Sequence, residues 1–169
     1  MIARHSKSCM PALLLAIAVI ACQPAGHPDV KVGLAIPEFE LAALDGTEIR
    51  SDSYLGTPVV LNFWATWCGP CLKEIPVLQA IERNHLAKVV AISIDEDPAL
   101  VAPFVERYGM DYTVLHGGPE IFERYNGSAV PYTLVLDSNL RILRMTKGLV
   151  SMRAIERDLR RARKASEES

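Results

Sequence analysis

The sequence contains few cysteines and histidines and has little net charge, and each shortage excludes a class of function. Its 169 residues include four cysteines and four histidines, and no second cysteine pair or paired histidines complete a tetrahedral zinc site. The formal net charge of −2 is too small to attract nucleic acid. No internal repeat or low-complexity tract is present. We therefore expect a globular protein with no metal and no nucleic-acid partner.

Long hydrophobic runs are also lacking, apart from one at the N-terminus. Arg4 and Lys7 precede an apolar stretch over residues 10–22 that only Pro11 interrupts. Thirteen helical residues cover roughly 20 Å, which is short of the ~30 Å hydrocarbon core of a bilayer. A basic start followed by a short apolar run is typical of a secretory signal. We predict that residues 1–21 are a signal peptide.

The end of this segment, Val19-Ile20-Ala21-Cys22, resembles a bacterial lipoprotein signal, in which the cysteine becomes the lipidated first residue. The alternative is an ordinary signal peptide cleaved nearby, with Cys22 an incidental small residue. Residues 22–32 are then expected to form an extended tether. The resemblance implies a periplasmic protein with a lipid anchor on Cys22. Gln23, which is not Asp, favours the outer membrane over the inner.

Strand-like and helix-like segments alternate over residues 33–169. Asp45-Gly46 lies between two short strand-like segments and predicts an N-terminal hairpin. The remaining predicted strands are 59–64, 88–94, 110–115, 132–136 and 141–146, the last two forming a second hairpin. The predicted helices are 72–83, kinked at Pro76, then 98–108, with Asp97 as N-cap and Pro98 at the first helical position, then 120–125 and one from 151 onward. This order predicts one α/β domain with a central mixed sheet and helices on both faces.

Two cysteines, Cys68 and Cys71, stand where a buried strand is predicted to lead into a helix. Because Cys9 leaves with the signal and Cys22 is expected to be lipidated, these two are the cysteines left for chemistry. A structural disulfide would close a small loop that adds little stability. The arrangement instead favours a redox-active pair.

The expected chemistry follows from the position of the pair at a helix N-terminus. Free backbone N–H groups and the helix dipole would stabilise a Cys68 thiolate, which attacks a substrate disulfide. Cys71, one turn along and expected to be more buried, would then resolve the mixed disulfide. Gly69 lets a substrate backbone come close, and Pro70 fixes the turn. No cofactor is required beyond the Cys68–Cys71 disulfide.

Residues 61–76, which read LNFWATWCGPCLKEIP, resemble the TlpA/ResA-like branch of periplasmic thioredoxins. The likeness extends from about Gly33 to the C-terminus and includes Val130-Pro131. It implies a thioredoxin fold with an N-terminal β-hairpin and an inserted helix–strand unit. It also implies that Pro131 is the family's cis-proline, beside which the Val130 backbone pairs with a bound peptide. Trp67 is expected to flank the substrate groove.

Two further positions can be compared with the residues that thioredoxins have there. Asn62 stands six residues before Cys68, where cytoplasmic thioredoxins have a buried acid, and is expected to be a hydrogen-bonding core residue. Glu74 lies three residues after Cys71, where this branch usually has a glutamate. It either handles the proton of Cys71 or is an ordinary carboxylate of the first helical turn, and the sequence leaves both open.

The predicted function is thiol–disulfide exchange with protein substrates, with the chain acting as a monomeric periplasmic reductase. The resemblance adds a membrane thiol electron donor and includes reduction of apocytochrome c among the family's uses. The alternatives are a thioredoxin-fold peroxidase and a non-catalytic binding module. A peroxidase needs a threonine three residues before its cysteine, where this chain has Ala65. The intact Cys68 and Cys71 argue against a binding module.

Overall fold

The structure, a computed structural model, describes residues 29–167. The predicted signal peptide and Cys22, the predicted lipidation site, lie outside the described residues, as does most of the predicted tether. Among residues 29–167, no helix combines the length and the apolarity needed to cross a membrane.

Within the described residues, seven strands form two sheets, and the larger one has five strands in the order β5-β4-β3-β6-β7. The strands are β1 (Glu40–Ala42), β2 (Glu48–Arg50), β3 (Val59–Trp64), β4 (Lys88–Ser93), β5 (Thr113–His116), β6 (Tyr132–Leu136) and β7 (Ile142–Lys147). Strands β3, β4 and β5 run parallel, whereas β6 and β7 are antiparallel additions. The sheet is therefore mixed, as predicted, and β1 and β2 form the predicted N-terminal hairpin.

Residues 29–167 contain four α-helices, of which three connect strands of the larger sheet and the last follows the final strand. They are α1 (Ile75–Arg83), α2 (Val101–Tyr108), α3 (Gly118–Arg124) and α4 (Met152–Glu167). A 3-10 helix over Pro98–Leu100 precedes α2, and the Asp97 carboxylate accepts the backbone N–H of Ala99 at 2.9 Å. This N-cap before a proline is the start that the sequence predicted. Helix α2 and β5 form the predicted inserted helix–strand unit.

The core lies on both faces of the central strands. Every residue of β3 is buried, as are all but the first residue of β4. A strand covered on both faces has no side exposed to solvent, which explains why every residue of β3 except Asn62 is apolar. Trp64 is 2 % exposed and contacts Phe104 of α2 with ring centroids 5.1 Å apart. Trp64 is therefore a core residue.

Several element boundaries differ from the sequence prediction, and the largest differences are at α1 and β5. The helix after Cys71 is not one kinked helix: a 3-10 helix covers Gly69–Lys73, and α1 begins at Ile75 with Pro76 in its first turn. Proline lacks a backbone N–H, and in the first turn that N–H has no helical partner, so Pro76 starts α1 rather than kinking it. Strand β5 begins at Thr113 rather than at residue 110.

Candidate active site

Cys68 and Cys71 form a disulfide at the point where the chain leaves β3. Their Cα atoms are 5.4 Å apart. Cys68 is the N-cap of the Gly69–Lys73 helix, and its Sγ accepts the backbone N–H of Cys71 at 3.3 Å. A sulfur in this position receives the donor groups of a helix start, which favour negative charge. The geometry is thus suited to a stabilised Cys68 thiolate.

The exposure of the two cysteines differs from the prediction. Cys71 was expected to be the more buried, but Cys68 is 4 % exposed and Cys71 is 5 % exposed. The two cysteines are distinguished by their surroundings instead. Cys68 adjoins the exposed Trp67, Gly69 and Pro70, whereas Cys71 lines an internal cavity.

The loop before Cys68 is held by a buried carboxylate that the sequence did not single out for this role. Asp95 is 1 % exposed and accepts the backbone N–H of Thr66 at 3.0 Å and its hydroxyl at 2.7 Å. It also accepts the Ser93 hydroxyl at 2.7 Å. Several hydrogen bonds to one carboxylate stabilise its buried charge and fix the loop. The carboxylates of Asp95 and Asp97 therefore have structural roles, one in the loop before Cys68 and the other at a helix N-cap. The ring of His116 contacts the Asp95 carbonyl oxygen at 2.8 Å.

Glu74 stands at the N-cap position of α1 and is buried, with 1 % of its surface exposed. Its Oε2 accepts the side-chain amide of Asn62 at 3.0 Å, and its Oε1 accepts the backbone N–H of Val150 at 2.6 Å. The same Asn62 amide group donates to the Thr133 hydroxyl at 2.9 Å. Asn62 is therefore the hydrogen-bonding core residue that the sequence predicted. Thr133 and Val150 were not identified from the sequence.

Burial raises the pKa of the Glu74 carboxyl above its ordinary value, because desolvation penalises the charged form more than the two hydrogen bonds favour it. This carboxyl therefore binds a proton more readily than an exposed glutamate does. A group of this kind beside a cysteine pair can exchange a proton with a thiol.

The raised pKa of Glu74 predicts how stability depends on pH. Between the ordinary pKa of 4.5 and the raised native value, the native state holds a proton that the unfolded state releases. The associated stability is complete below pH 4.5 and is lost as pH rises through the native pKa. Relative to Glu74→Gln, the oxidised wild type should therefore lose free energy of unfolding as pH rises from about 4.5. Urea unfolding of both proteins at several pH values measures this difference.

The test depends on a trend with pH and not on the absolute stability of the variant. Both Glu74 oxygens accept hydrogen bonds. A glutamine side chain has only one oxygen, so its NH2 group faces a donor and one of the two hydrogen bonds is lost. That loss lowers the stability of Glu74→Gln by a similar amount at every pH. The exposed Glu48→Gln variant controls for the removal of one negative charge. Parallel stability curves for wild type and Glu74→Gln would contradict the raised pKa.

The Val130–Pro131 turn lies close to the end of β3 that leads to Cys68. The Val130–Pro131 peptide bond is cis, and the next residue, Tyr132, pairs with Phe63 near the end of β3. Pro131 is buried and Val130 is half-buried. The structure therefore has the cis-proline that the family resemblance implied, at the end of the sheet that carries the cysteines.

An open groove of about 650 Å³ lies beside Trp67, the residue that precedes Cys68. Trp67, 68 % exposed, forms one edge, and Leu100 and Phe122 contribute apolar surface. Glu96 and Glu123 add carboxylates. Trp67 therefore leaves a large, mainly apolar ring open to solvent next to Cys68.

No cluster of three metal-ligating side chains occurs among residues 29–167. The groups collected around Cys68 and Cys71 are a buried carboxylate, an amide and backbone donors. These groups suit thiol and proton chemistry carried by the side chains themselves.

The chain is similar to known proteins in sequence and in structure. Residues 32–145 match the AhpC/TSA family. The chain is 34% identical over 134 residues to the thiol-disulfide oxidoreductase ResA of Geobacillus kaustophilus, covering 77% of each chain.

Two solved structures have similar folds. A putative thiol:disulfide interchange protein DsbE from Chlorobium tepidum has a TM-score of 0.74 at 24% identity, covering 79% of this chain and 99% of the other. The exposed lipoprotein thioredoxin Etrx1 of Streptococcus pneumoniae has a TM-score of 0.61 at 27% identity, covering 74% and 99%. The first similarity shows the fold alone.

These similarities agree with the cysteine pair, the cis-proline and the mixed sheet described above. The matched regions include both the strand that carries the pair and the helix that follows it. The chain belongs to the AhpC/TSA family of the thioredoxin superfamily and, within it, to the ResA-type thiol–disulfide oxidoreductases.

Proposed function

We propose that this chain reduces disulfides in extracytoplasmic proteins, with Cys68 as the nucleophile and Cys71 as the resolving cysteine. The observation that carries this assignment is the hydrogen bond from the Cys71 backbone N–H to the Cys68 sulfur at the helix N-cap. That donor, together with the helix start, lowers the free energy of a thiolate at Cys68 more than at Cys71.

The reaction runs in two exchanges. The Cys68 thiolate attacks one sulfur of the substrate disulfide, forms a mixed disulfide and releases the other substrate sulfur as a thiolate. Cys71 then loses its proton and attacks Cys68 Sγ, which releases the second substrate thiolate. Two electrons pass to the substrate, and the protein is left with the Cys68–Cys71 disulfide seen in the structure.

Glu74 is proposed to take the proton that Cys71 loses. The carboxyl lies three residues beyond Cys71, is buried, and has a raised pKa that keeps its protonated form accessible. Asn62 and the Val150 backbone hold it in place through one hydrogen bond to each oxygen. A base that is fixed and partly desolvated is suited to this transfer.

The substrate is proposed to bind across the cysteine pair between Trp67 and the Val130–Pro131 turn. Trp67 offers a large exposed ring, and the exposed Gly69 and Pro70 leave the approach to Cys68 clear of bulky side chains. On the opposite side, the Val130 backbone is proposed to pair with an extended segment of the substrate, which gives affinity without requiring a particular sequence.

Proteins containing disulfides that must be opened, among them apocytochrome c before haem attachment, are the proposed substrates. After each turnover the Cys68–Cys71 disulfide must be reduced again, and a membrane thiol protein is the proposed electron donor. The chain is proposed to act as a monomer, because one domain contains the cysteine pair, Glu74 and the cis-proline turn.

The proposed location is the periplasm, with a lipid on Cys22 that anchors the chain to the outer membrane. The lipoprotein-like end of the signal and the 27% identity to a pneumococcal lipoprotein thioredoxin support this proposal. We expect the mature protein to begin at a lipidated Cys22 and to contain two titratable thiols after reduction, Cys68 and Cys71. Thiol titration of the unfolded, reduced protein combined with mass spectrometry of its N-terminus measures both.

Cys22→Ala should abolish lipid attachment and release the protein from membranes without changing the chemistry of the cysteine pair. A mature chain that keeps Cys9, or one that starts beyond Cys22 without lipid, would contradict the anchor.

A peroxidase is the second enzymatic candidate, and the site does not favour it. The position three residues before Cys68 is Ala65, and the adjacent Thr66 donates its hydroxyl to Asp95 at 2.7 Å. No hydroxyl is therefore directed from this position to a peroxide. A non-catalytic binding module is disfavoured by the intact cysteine pair and cis-proline. Formation of a mixed disulfide by Cys71→Ser but not by Cys68→Ser tests the proposed function.

A further inference from the structure

A small cavity lies on the interior side of the cysteine pair. Its volume is about 10 Å³, and its polar lining groups are Asn62, Trp64, Cys71 and Tyr112. The rest of the lining is apolar and includes Phe104 of α2. A volume of this size corresponds to about one water molecule.

Two side chains on this cavity have buried donors without partners. Trp64 is 2 % exposed and Tyr112 is 8 % exposed, and neither Trp64 Nε1 nor Tyr112 Oη has a hydrogen-bond partner among residues 29–167. No other side-chain nitrogen or oxygen buried in that part of the chain shares this state. Buried donors are almost always satisfied, so two of them on one cavity need an explanation.

The other two polar groups can act as acceptors. The Asn62 amide nitrogen donates to Glu74 and to Thr133, which leaves its carbonyl oxygen available as an acceptor. The Cys71 sulfur becomes a strong acceptor when the disulfide opens and the thiol ionises. Two donors and two acceptors are the partners that one tetrahedral water can satisfy together.

We propose that this cavity is a one-water site in which Tyr112 and Trp64 donate to a water that stabilises the Cys71 thiolate during resolution of the mixed disulfide. The proposal rests on the proposed role of Cys71 as the resolving cysteine. Tyr112 and Trp64 are positioning residues here, because they act on the sulfur through the water. No electrons pass through the site, and the Cys71 proton leaves to Glu74 as before.

The titratable groups around Cys71 are consistent with this role. Cys68 and Glu74 become negative in the course of the reaction and would oppose a thiolate at Cys71, so neutral donors are needed there. Burial, with a smaller effect from the charges of Asp111 and Glu74, raises the pKa of the Tyr112 hydroxyl well above its ordinary value. Tyr112 therefore keeps its proton and remains a donor.

The experiment measures the pKa of the Cys71 thiol in the mature protein carrying Cys68→Ser, from the pH dependence of iodoacetamide alkylation. Adding Tyr112→Phe, which removes only the hydroxyl, should raise this pKa by about one pH unit and lower the thiolate fraction at neutral pH about tenfold. Adding Trp64→Phe should raise it as well.

A matched tyrosine separates this role from a structural one. Tyr125 is also buried, but its hydroxyl already donates to the Pro37 carbonyl oxygen. Tyr125→Phe should lower the denaturation midpoint of the oxidised protein and leave the pKa of Cys71 unchanged. Tyr112→Phe should raise the pKa of Cys71 and leave the denaturation midpoint unchanged, because the Tyr112 hydroxyl has no protein partner to lose.

The proposal is overturned if Tyr112→Phe leaves the pKa of Cys71 unchanged, or if it lowers the denaturation midpoint as Tyr125→Phe does. The first outcome would leave the proposed function intact, because disulfide reduction by the protein with both cysteines is measured separately. Failure of the proposed function would instead appear as a protein that reduces no disulfide at all.

Discussion

Equilibrated with glutathione or dithiothreitol buffers, the Cys68–Cys71 pair should have a reduction potential below about −180 mV, the value for protein disulfide isomerase, and closer to the thioredoxin value of about −270 mV. The oxidant DsbA lies near −120 mV, and about 30 mV corresponds to about 1.4 kcal/mol, so the two extremes differ by roughly 7 kcal/mol. The protein reaches the oxidising end only if it stabilises its reduced form strongly.

The site offers only moderate stabilisation of the Cys68 thiolate. Gly69 and Pro70, between the cysteines, have no side-chain donor or positive charge. The donors are the Cys71 backbone N–H and the start of a five-residue 3-10 helix. The nearby Glu74, once ionised, opposes negative charge on the pair. The pair should therefore be a reductant that needs a supply of electrons.

The equilibrium is followed by alkylating free thiols and separating the oxidised and reduced forms. Gly69→Ser or Pro70→Ser should leave the pair a reductant, whereas a positively charged residue at either position should make it more oxidising. Gly69→Arg should raise the potential, because a cation near Cys68 stabilises the reduced form. A wild-type potential above about −180 mV would contradict the reductase assignment.

The sequence predicted those parts of the fold that depend on local pattern. The almost wholly apolar run of β3 and the alternation of strands and helices were enough to predict the mixed sheet and the N-terminal hairpin. Asp97 and Pro98 predicted a helix start correctly, because an N-cap followed by proline has few other uses. The cysteine spacing, placed after a buried strand, predicted the disulfide position.

The surroundings of Glu74 could not be predicted from the same patterns. Asn62 meets Thr133 only because β3 and β6 pair in one register, and these residues lie 71 positions apart in sequence. The donor to the other Glu74 oxygen is a backbone N–H after β7, and a backbone group leaves no trace in the sequence. The sequence therefore left open whether Glu74 handles a proton or is an ordinary first-turn carboxylate, because its partners depend on tertiary packing.

The relative burial of the two cysteines was predicted wrongly for a related reason. Helix periodicity places Cys71 toward the interior, but the loop held by Asp95 also packs Cys68 against the domain. The role of Asp95 was not identified from the sequence, because its partners Ser93 and Thr66 lie at or just after the ends of two different strands. Local sequence does not specify which of the three carboxylates of Asp95, Glu96 and Asp97 is buried.

Single cysteine variants should separate the two sulfurs completely. Cys71→Ser leaves the Cys68 nucleophile in place and removes the resolving thiol, so it should accumulate a mixed disulfide with a protein substrate such as insulin. Cys68→Ser keeps a thiol that lacks the N-cap hydrogen bond, so its adduct should form at least about a hundredfold more slowly at neutral pH. Either variant should lose multiple turnover, because each turnover uses both sulfurs.

Trapping that adduct is the measurement that tests the central claim most directly. Reduced Cys71→Ser and Cys68→Ser proteins are mixed with oxidised insulin, quenched with acid, and mapped by mass spectrometry for the residue joined to the insulin chain. The proposed mechanism predicts an adduct on Cys68 in the Cys71→Ser variant and almost none on Cys71 in the Cys68→Ser variant. Equal adduct on both variants, or an adduct on Cys71 alone, would contradict it.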